Sequence, residues 1–256
     1  RSPRDNFFHC LVNAAHQFHI RKKNDDRYLL AGYPWFKCRA RDTFISLPGL
    51  TLSIEEQDYF ELVMKTAEKG LREFMAGKPL TVQIAEIEQP DVPLWAIWTI
   101  QQYAKEAGLE RCRDMYGQLV KDIVKFIESG KHNNLQLRDN GLLYSNGRDK
   151  AVTWMNSTAN GYPVVPRTGY IVEFNALWYN ALCFAQSIAE LDGDKALAEQ
   201  LNERAAVCQK SFVDTFFNEY GYLFDYVDEN PRDWSVRPNM IFAAAFDYSP
   251  LDQAQK

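Results

Sequence analysis

The sequence predicts an all-α fold, on three observations. Apolar residues recur at helical spacing in six long segments, most of which stop at Gly or Asn. Alternating strand patterns are confined to GLLYS (141–145) and YGYLFDYV (220–227). The composition, 46% apolar and 25% charged over 256 residues, allows a sizeable core.

Taken in order, residues 5–19 (DNFFHCLVNAAHQFH) form a helix behind Asp5 as N-cap, with Phe8, Leu11, Val12, Ala15 and His19 on one face. A short helix follows over 43–52. Ser53 with Glu56 three residues on reads as a capping box for a helix to Ala76, whose apolar stripe is Phe60, Val63, Met64, Ala67 and Leu71. Gly77 and Pro79 end it. Segments 91–108, 111–130, 172–191 and 194–217 repeat the pattern, a short helix covers 236–246, and another begins near Leu251. That makes roughly nine helices.

The loops at 20–42, 77–92, 131–170 and 218–236 are long and carry much of the Trp, Arg, Asn, Asp and Gly, whereas the connections near 108–110 and 192 are short. Long loops in compact domains tend to be functional. Short connections favour antiparallel neighbours, so the long loops would gather on one face, as in an α-helical toroid with a site at one mouth. No Pro/Gly/Ser linker or composition break divides the chain, which therefore reads as a single domain over 1–256.

Several function classes drop out. The net charge is −5 with no basic stripe, which argues against nucleic acid as a partner. No apolar run reaches the roughly 18 residues of a membrane span, and RSPRDNFFHC lacks a secretory signal, so a cytoplasmic protein is expected. Cys10, Cys38, Cys112, Cys183 and Cys208 are odd in number, without a CxxC pair, and read as reduced core residues. The pairs His16/His19 and Asp25/Asp26 hint at metal, but neither has a third ligand in a recognisable spacing, so no metal or other cofactor is expected. Aromatic residues make up 14%, and their faces can stack on sugar rings as well as fill a core.

In AGYPWFKCRARDTFISLPGL (31–50), Arg41 and Asp42 stand just ahead of a helix beginning at Thr43, after a loop holding Pro34, Trp35 and Phe36. Asp42 is either an N-cap or an acceptor for sugar hydroxyls beside a stacking Trp35. AGYPWF, RDTFISLPGL, PLWAIW with QQY, GLLY, TWM followed by PVVPRTGYIVEFNALWYNAL, and RPNMIFA occur in the order seen in the glucosidase domain of glycogen debranching enzymes. From about residue 7 onward the chain resembles this amylo-α-1,6-glucosidase family. The resemblance implies an (α/α)6 barrel and inverting hydrolysis, without a cofactor, of the α-1,6-linked glucose at glycogen or limit-dextrin branch points. Glycogen or an α-glucan oligosaccharide is then the partner. Such a barrel has twelve helices and takes its general base from beyond LDQAQK. The chain is therefore expected to be the N-terminal and central part of the domain, open and prone to self-association.

Inverting hydrolysis needs an acid to protonate the leaving oxygen and a carboxylate, roughly 6.5–9.5 Å away, to activate water. The family block reads TWMD, its aspartate the general acid, but this chain has TWMN: Asn156 occupies the acid position with an amide that has no proton to give. The family's GCWGRD is here KCRARD, which implies a remodelled subsite carrying Lys37 and Arg39. Glu173 is the fallback carboxylate and a candidate glucose contact, or else the structural partner of Arg167. Trp154 and Trp178 are expected to stack on sugar or wall the pocket, with core packing as the alternative. Arg41, Arg167 and Arg237 complete the expected substrate contacts, with a salt bridge from Arg237 to Asp225 or Asp228 as its structural alternative. A glucan-binding relative without activity, and glucoamylase-like or trehalase-like hydrolases, are the competing readings.

Overall fold

The computed structural model describes residues 6–22, 25–229 and 231–256, as two compact units, Arg1–Gly108 and Leu109–Lys256. In the first unit, α1 (Phe7–His16) is capped by Asn6, whose side chain accepts from the His9 N–H at 2.9 Å. Asp5, the expected cap, lies outside the described residues. Val12 and Ala15 are buried as their spacing predicts, but Phe8 and Leu11 are exposed. His19 has left the helix for β1 (His19–Arg21), which pairs antiparallel with β2 (Arg27–Leu29).

Helix α2 (Ala40–Leu50) begins before Thr43, with the extended Arg39 at its N-cap position. Asp42 is thus an exposed residue of the first turn and not a cap. The expected capping box does not form. Ser53 sits in a 3-10 turn, Leu52–Ile54, where the Thr51 carbonyl accepts from both Ile54 and Glu56 and Glu55 swings to φ 63°. Only then does α3 (Gln57–Met75) start, and its predicted stripe is fully buried. Helix α4 (Val92–Ala107) closes the unit.

The second unit holds α5 (Leu109–Glu128), α6 (Val172–Leu191) and α7 (Lys195–Phe216), the last capped by Asp194 accepting from Leu197 N–H at 3.1 Å. The expected helix at 236–246 is a 3-10 turn, Pro238–Met240, followed by α8 (Ile241–Ala245), and residues after Leu251 form turns instead of a helix. Between α5 and α6 run β3 (Gln136–Leu137), β4 (Leu143–Ser145), β5 (Thr158–Ala159), β6 (Tyr162–Pro163) and β7 (Gly169–Ile171); β8 (Tyr226–Val227) follows α7. Strands β3, β4, β7 and β8 form an antiparallel sheet in that order, and β5 and β6 a separate hairpin.

The all-α toroid is therefore corrected: the described residues form eight α-helices with three small antiparallel sheets. The strands are two or three residues long, and only β4 and β8 fall in the segments expected to alternate, GLLYS (141–145) and YGYLFDYV (220–227); the others are too short to show alternation. Gly169 shows how closely two of these strands approach. It sits at φ +103°, and a side-chain carbon there would lie 2.3 Å from the Val227 carbonyl oxygen. The sheet holds Arg167 and Glu173 on either side of β7, which runs directly into α6.

None of the described helices is long and apolar enough to cross a membrane. All five cysteines are free thiols; Cys38, Cys112 and Cys208 are buried, Cys183 is half-buried, and Cys10 is exposed, against the expectation of a core residue.

Candidate functional site

In the second unit, the turn before β7 and the first turn of α6 bring Arg167 and Glu173 into a fork-to-fork ion pair. Arg167 Nη1 donates to Glu173 Oε1, and Nη2 donates to Oε2 at 2.6 Å. Arg167 Nη2 also reaches Asp225 Oδ1 at 2.9 Å, and Nε lies 2.8 Å from Asp225 Oδ2, close enough for ion pairing but off the hydrogen-bond direction. Asp225 stands just ahead of β8, and its carbonyl accepts from Val172 N–H at 3.1 Å, which fixes strand to helix. Arg237 Nη1 donates to Asp225 Oδ2 and to Asp233 Oδ1, both at 2.8 Å.

From Asp225 the network leaves the core. Asn239, fully buried in the 3-10 turn, donates from Nδ2 to Asp225 Oδ1 at 2.7 Å and accepts from Trp154 Nε1 at 2.8 Å. Trp154 is 48% exposed, so its indole is tethered by one edge while ring surface faces solvent. Asn156 follows two residues later with its backbone N–H on the Trp154 carbonyl at 3.0 Å and its side chain exposed. Asn156 thus stands beside the tethered tryptophan.

Glu173 is 2% exposed, and both its oxygens are taken by Arg167. Burial pushes its carboxyl up, against the pull of Arg167. Burial works against the Arg167 charge too, but Glu173 and Asp225 outweigh it and hold the guanidinium above the ordinary arginine value. Trp178, 1% exposed within α6, presents no face to solvent. From sequence, Asp225 is only one of two partners offered to Arg237. The stronger signal was the charge itself, an aspartate in the aromatic run YGYLFDYV, because a carboxylate surrounded by apolar residues needs cations. Asn239 lies in the RPNMIFA block but carried no sequence feature that distinguishes it.

The first unit contributes a second, independent set. Trp35 is 79% exposed, in a loop where the Arg39 guanidinium lies 4.8 Å over the Phe36 ring. Arg41 points the other way, buried and paired side-on with Asp91 through Nε (2.6 Å to Oδ2) and Nη2 (2.9 Å to Oδ1). Its own desolvation is outweighed by Asp91, which keeps it above the usual arginine value. Asp91, at the N-cap position of α4, also accepts from the Trp95 indole at 3.2 Å. Nothing in the spacing of Arg41 and Asp91 had joined them.

A family model described as amylo-alpha-1,6-glucosidase matches residues 13–256, nearly the whole chain. No curated protein matches it. The match takes in both tryptophan loops, both buried arginine clusters and the TWMN block, and with it the chain belongs to the amylo-alpha-1,6-glucosidase family, as a glucosidase domain of the glycogen-debranching kind.

Proposed function

We propose that the chain binds α-1,6-branched glucan and carries the general-acid position of an inverting debranching glucosidase at residue 156. The observation behind this reading is the tethered loop: Trp154 is pinned through Asn239 to the buried Arg167–Glu173–Asp225 cluster, and the exposed Asn156 follows two residues on. A sugar stacked on Trp154 would have its glycosidic oxygen within the neighbourhood of residue 156. An asparagine there can donate a hydrogen bond to that oxygen but cannot protonate it as it leaves. In this reading the chain holds a branch point, and its hydrolysis is slowed by the missing acid.

Glu173 then acts from behind: with both oxygens on Arg167, it serves better to hold the arginine than to replace the missing acid. In the second unit, Trp178 supports from within α6 and Arg237 offers a half-exposed group to sugar; in the first, Arg41 is a buried support and Trp35 and Asp42 are exposed groups that a sugar could meet there. The amide at 156 favours one other reading, a glucan-binding relative that has given up hydrolysis.

Glucose release from phosphorylase limit dextrin, by the full-length protein and by its Asn156→Asp variant, decides between them, with panose binding followed by calorimetry. The expected result is panose binding by both proteins and glucose release at least about 100-fold faster from Asn156→Asp, the lower end of what a placed acid contributes. Equal, ready release by both would remove position 156 from the mechanism. Binding without release by either favours the sugar-binding relative, and absence of panose binding defeats both readings.

A further inference from the structure

We propose that His16, His19 and Glu56 form a divalent-metal site of the two-histidine, one-carboxylate class, suited to zinc, which ties the end of α1 and strand β1 to the start of α3. Their ligand atoms all lie within 4.8 Å of one another, and all three side chains are half-buried, so that solvent reaches the cluster. The sequence offers only a pair of histidines three apart; the third ligand arrives from 40 residues along the chain, delivered by the turn that precedes α3.

The orientation of His19 points to a cation. Its Nε2 lies 3.0 Å from the Leu50 carbonyl, an oxygen that can only accept and that belongs to the last residue of α2, where carbonyls lack helical partners. Nε2 therefore carries the ring hydrogen, and in the neutral ring Nδ1 presents a lone pair. That lone pair faces Glu56 Oε2 at 3.7 Å, beyond hydrogen-bond range. Two acceptors turned toward each other repel, and a metal ion between them converts the repulsion into two bonds.

The rest of the arrangement has the form of a metal site. A carbonyl on the far nitrogen is the usual device that orients a ligating histidine. Tyr59 stacks on the His19 ring at 4.0 Å and 10°, which limits its rotation. His16 Nε2 meets Glu56 Oε1 at 2.5 Å. A tetrahedral zinc with bonds of about 2.05 Å needs ligand atoms roughly 3.3 Å apart, so the ion would replace the hydrogen of that bond with a shift of under about 1 Å. Nitrogen and oxygen donors in this ratio suit zinc, with a water in the remaining position.

The test is a zinc titration of the chelator-treated 256-residue chain against a competing chromophoric chelator, beside Glu56→Gln, His19→Gln and Cys10→Ser. One zinc per chain is expected for the unmodified protein and for Cys10→Ser, with affinity at least about tenfold weaker in Glu56→Gln and His19→Gln. Zinc should raise the melting temperature of the unmodified chain, and at the same zinc concentration raise that of Glu56→Gln less. This near-isosteric variant keeps the test valid if His19→Gln fails to fold. Cobalt in place of zinc should give visible ligand-field bands without thiolate charge transfer. Unchanged affinity in Glu56→Gln, loss of binding in Cys10→Ser, or a thiolate band overturns the proposal.

Discussion

Arg41 in the first unit and Arg167 in the second are both buried arginines in two-point ion pairs, yet the two clusters do different work. Arg41 and Asp91 clasp α2 to the start of α4, and the Trp95 indole that joins them is buried as well. The cluster around Arg167 opens outward, through Asp225 to Arg237 and through Asn239 to the exposed Trp154. Arg167 also sits between two carboxylates, where a single guanidinium is not enough and Arg237 supplies the second cation. Buried charge in the first case fixes a helix packing. In the second it fixes a surface loop.

The largest effect should therefore come from removing Arg167. Arg167→Met leaves Glu173 and Asp225 close together in the core without their shared guanidinium, and we expect a loss of about 5 kcal/mol in urea unfolding, or no folding. Arg41→Met strands one carboxylate, Asp91, whose place at the N-terminus of α4 softens the penalty; about 3 kcal/mol is expected. Equal losses in the two variants would mean that the second carboxylate adds nothing and that the clusters are the same device.

How far the sequence could be read follows the same division. Helices with strong apolar stripes, such as Phe60 to Leu71 on α3, were legible because one face alternates with solvent every turn. Their starts were less so: Ser53 and Glu56 have capping-box spacing, but the 3-10 turn at Leu52–Ile54 takes up Ser53 and Glu56 itself stands at the N-cap position of α3. Of the short strands, β4 and β8 lie in the two alternating segments, but their pairing was not legible: β4 joins β7 through Tyr144 with Tyr170 and Ser145 with Gly169, and the buried Asn175 bonds both polar groups of Leu143. The Arg167–Glu173 pair was weighed from sequence because the two lie six apart. Arg41–Asp91, separated by 50 residues, and the Asn239 bridge depend on the chain returning to the same place, which no local pattern encodes.

A smaller perturbation tests whether the outward branch matters for sugar. Asn239→Ala removes a donor from Asp225 and the acceptor that tethers Trp154, while the arginines remain. The expected destabilisation is about 1–3 kcal/mol, accompanied by weaker panose binding in calorimetry as the Trp154 ring loses its fixed orientation. Lower stability with unchanged affinity would make the bridge structural only and sever the buried cluster from the binding surface.

The smallest effect on stability should come from the other tryptophan loop. Trp35 is 79% exposed, so Trp35→Ala should change the unfolding free energy by less than about 0.5 kcal/mol. Trp154→Phe keeps an aromatic face but drops the indole N–H, leaving the Asn239 oxygen without that donor, and should lose about 1 kcal/mol. Panose affinity separates the two roles. If Trp35 stacks on a sugar, its removal should weaken binding about twofold to tenfold with no change in melting temperature. Trp154→Phe should instead move stability and affinity together, because its ring is useful only while the buried network holds it in place. Loss of affinity without loss of stability in Trp154→Phe would show that the loop keeps its position by other means, and the contrast between a freely offered ring and a tethered one would disappear.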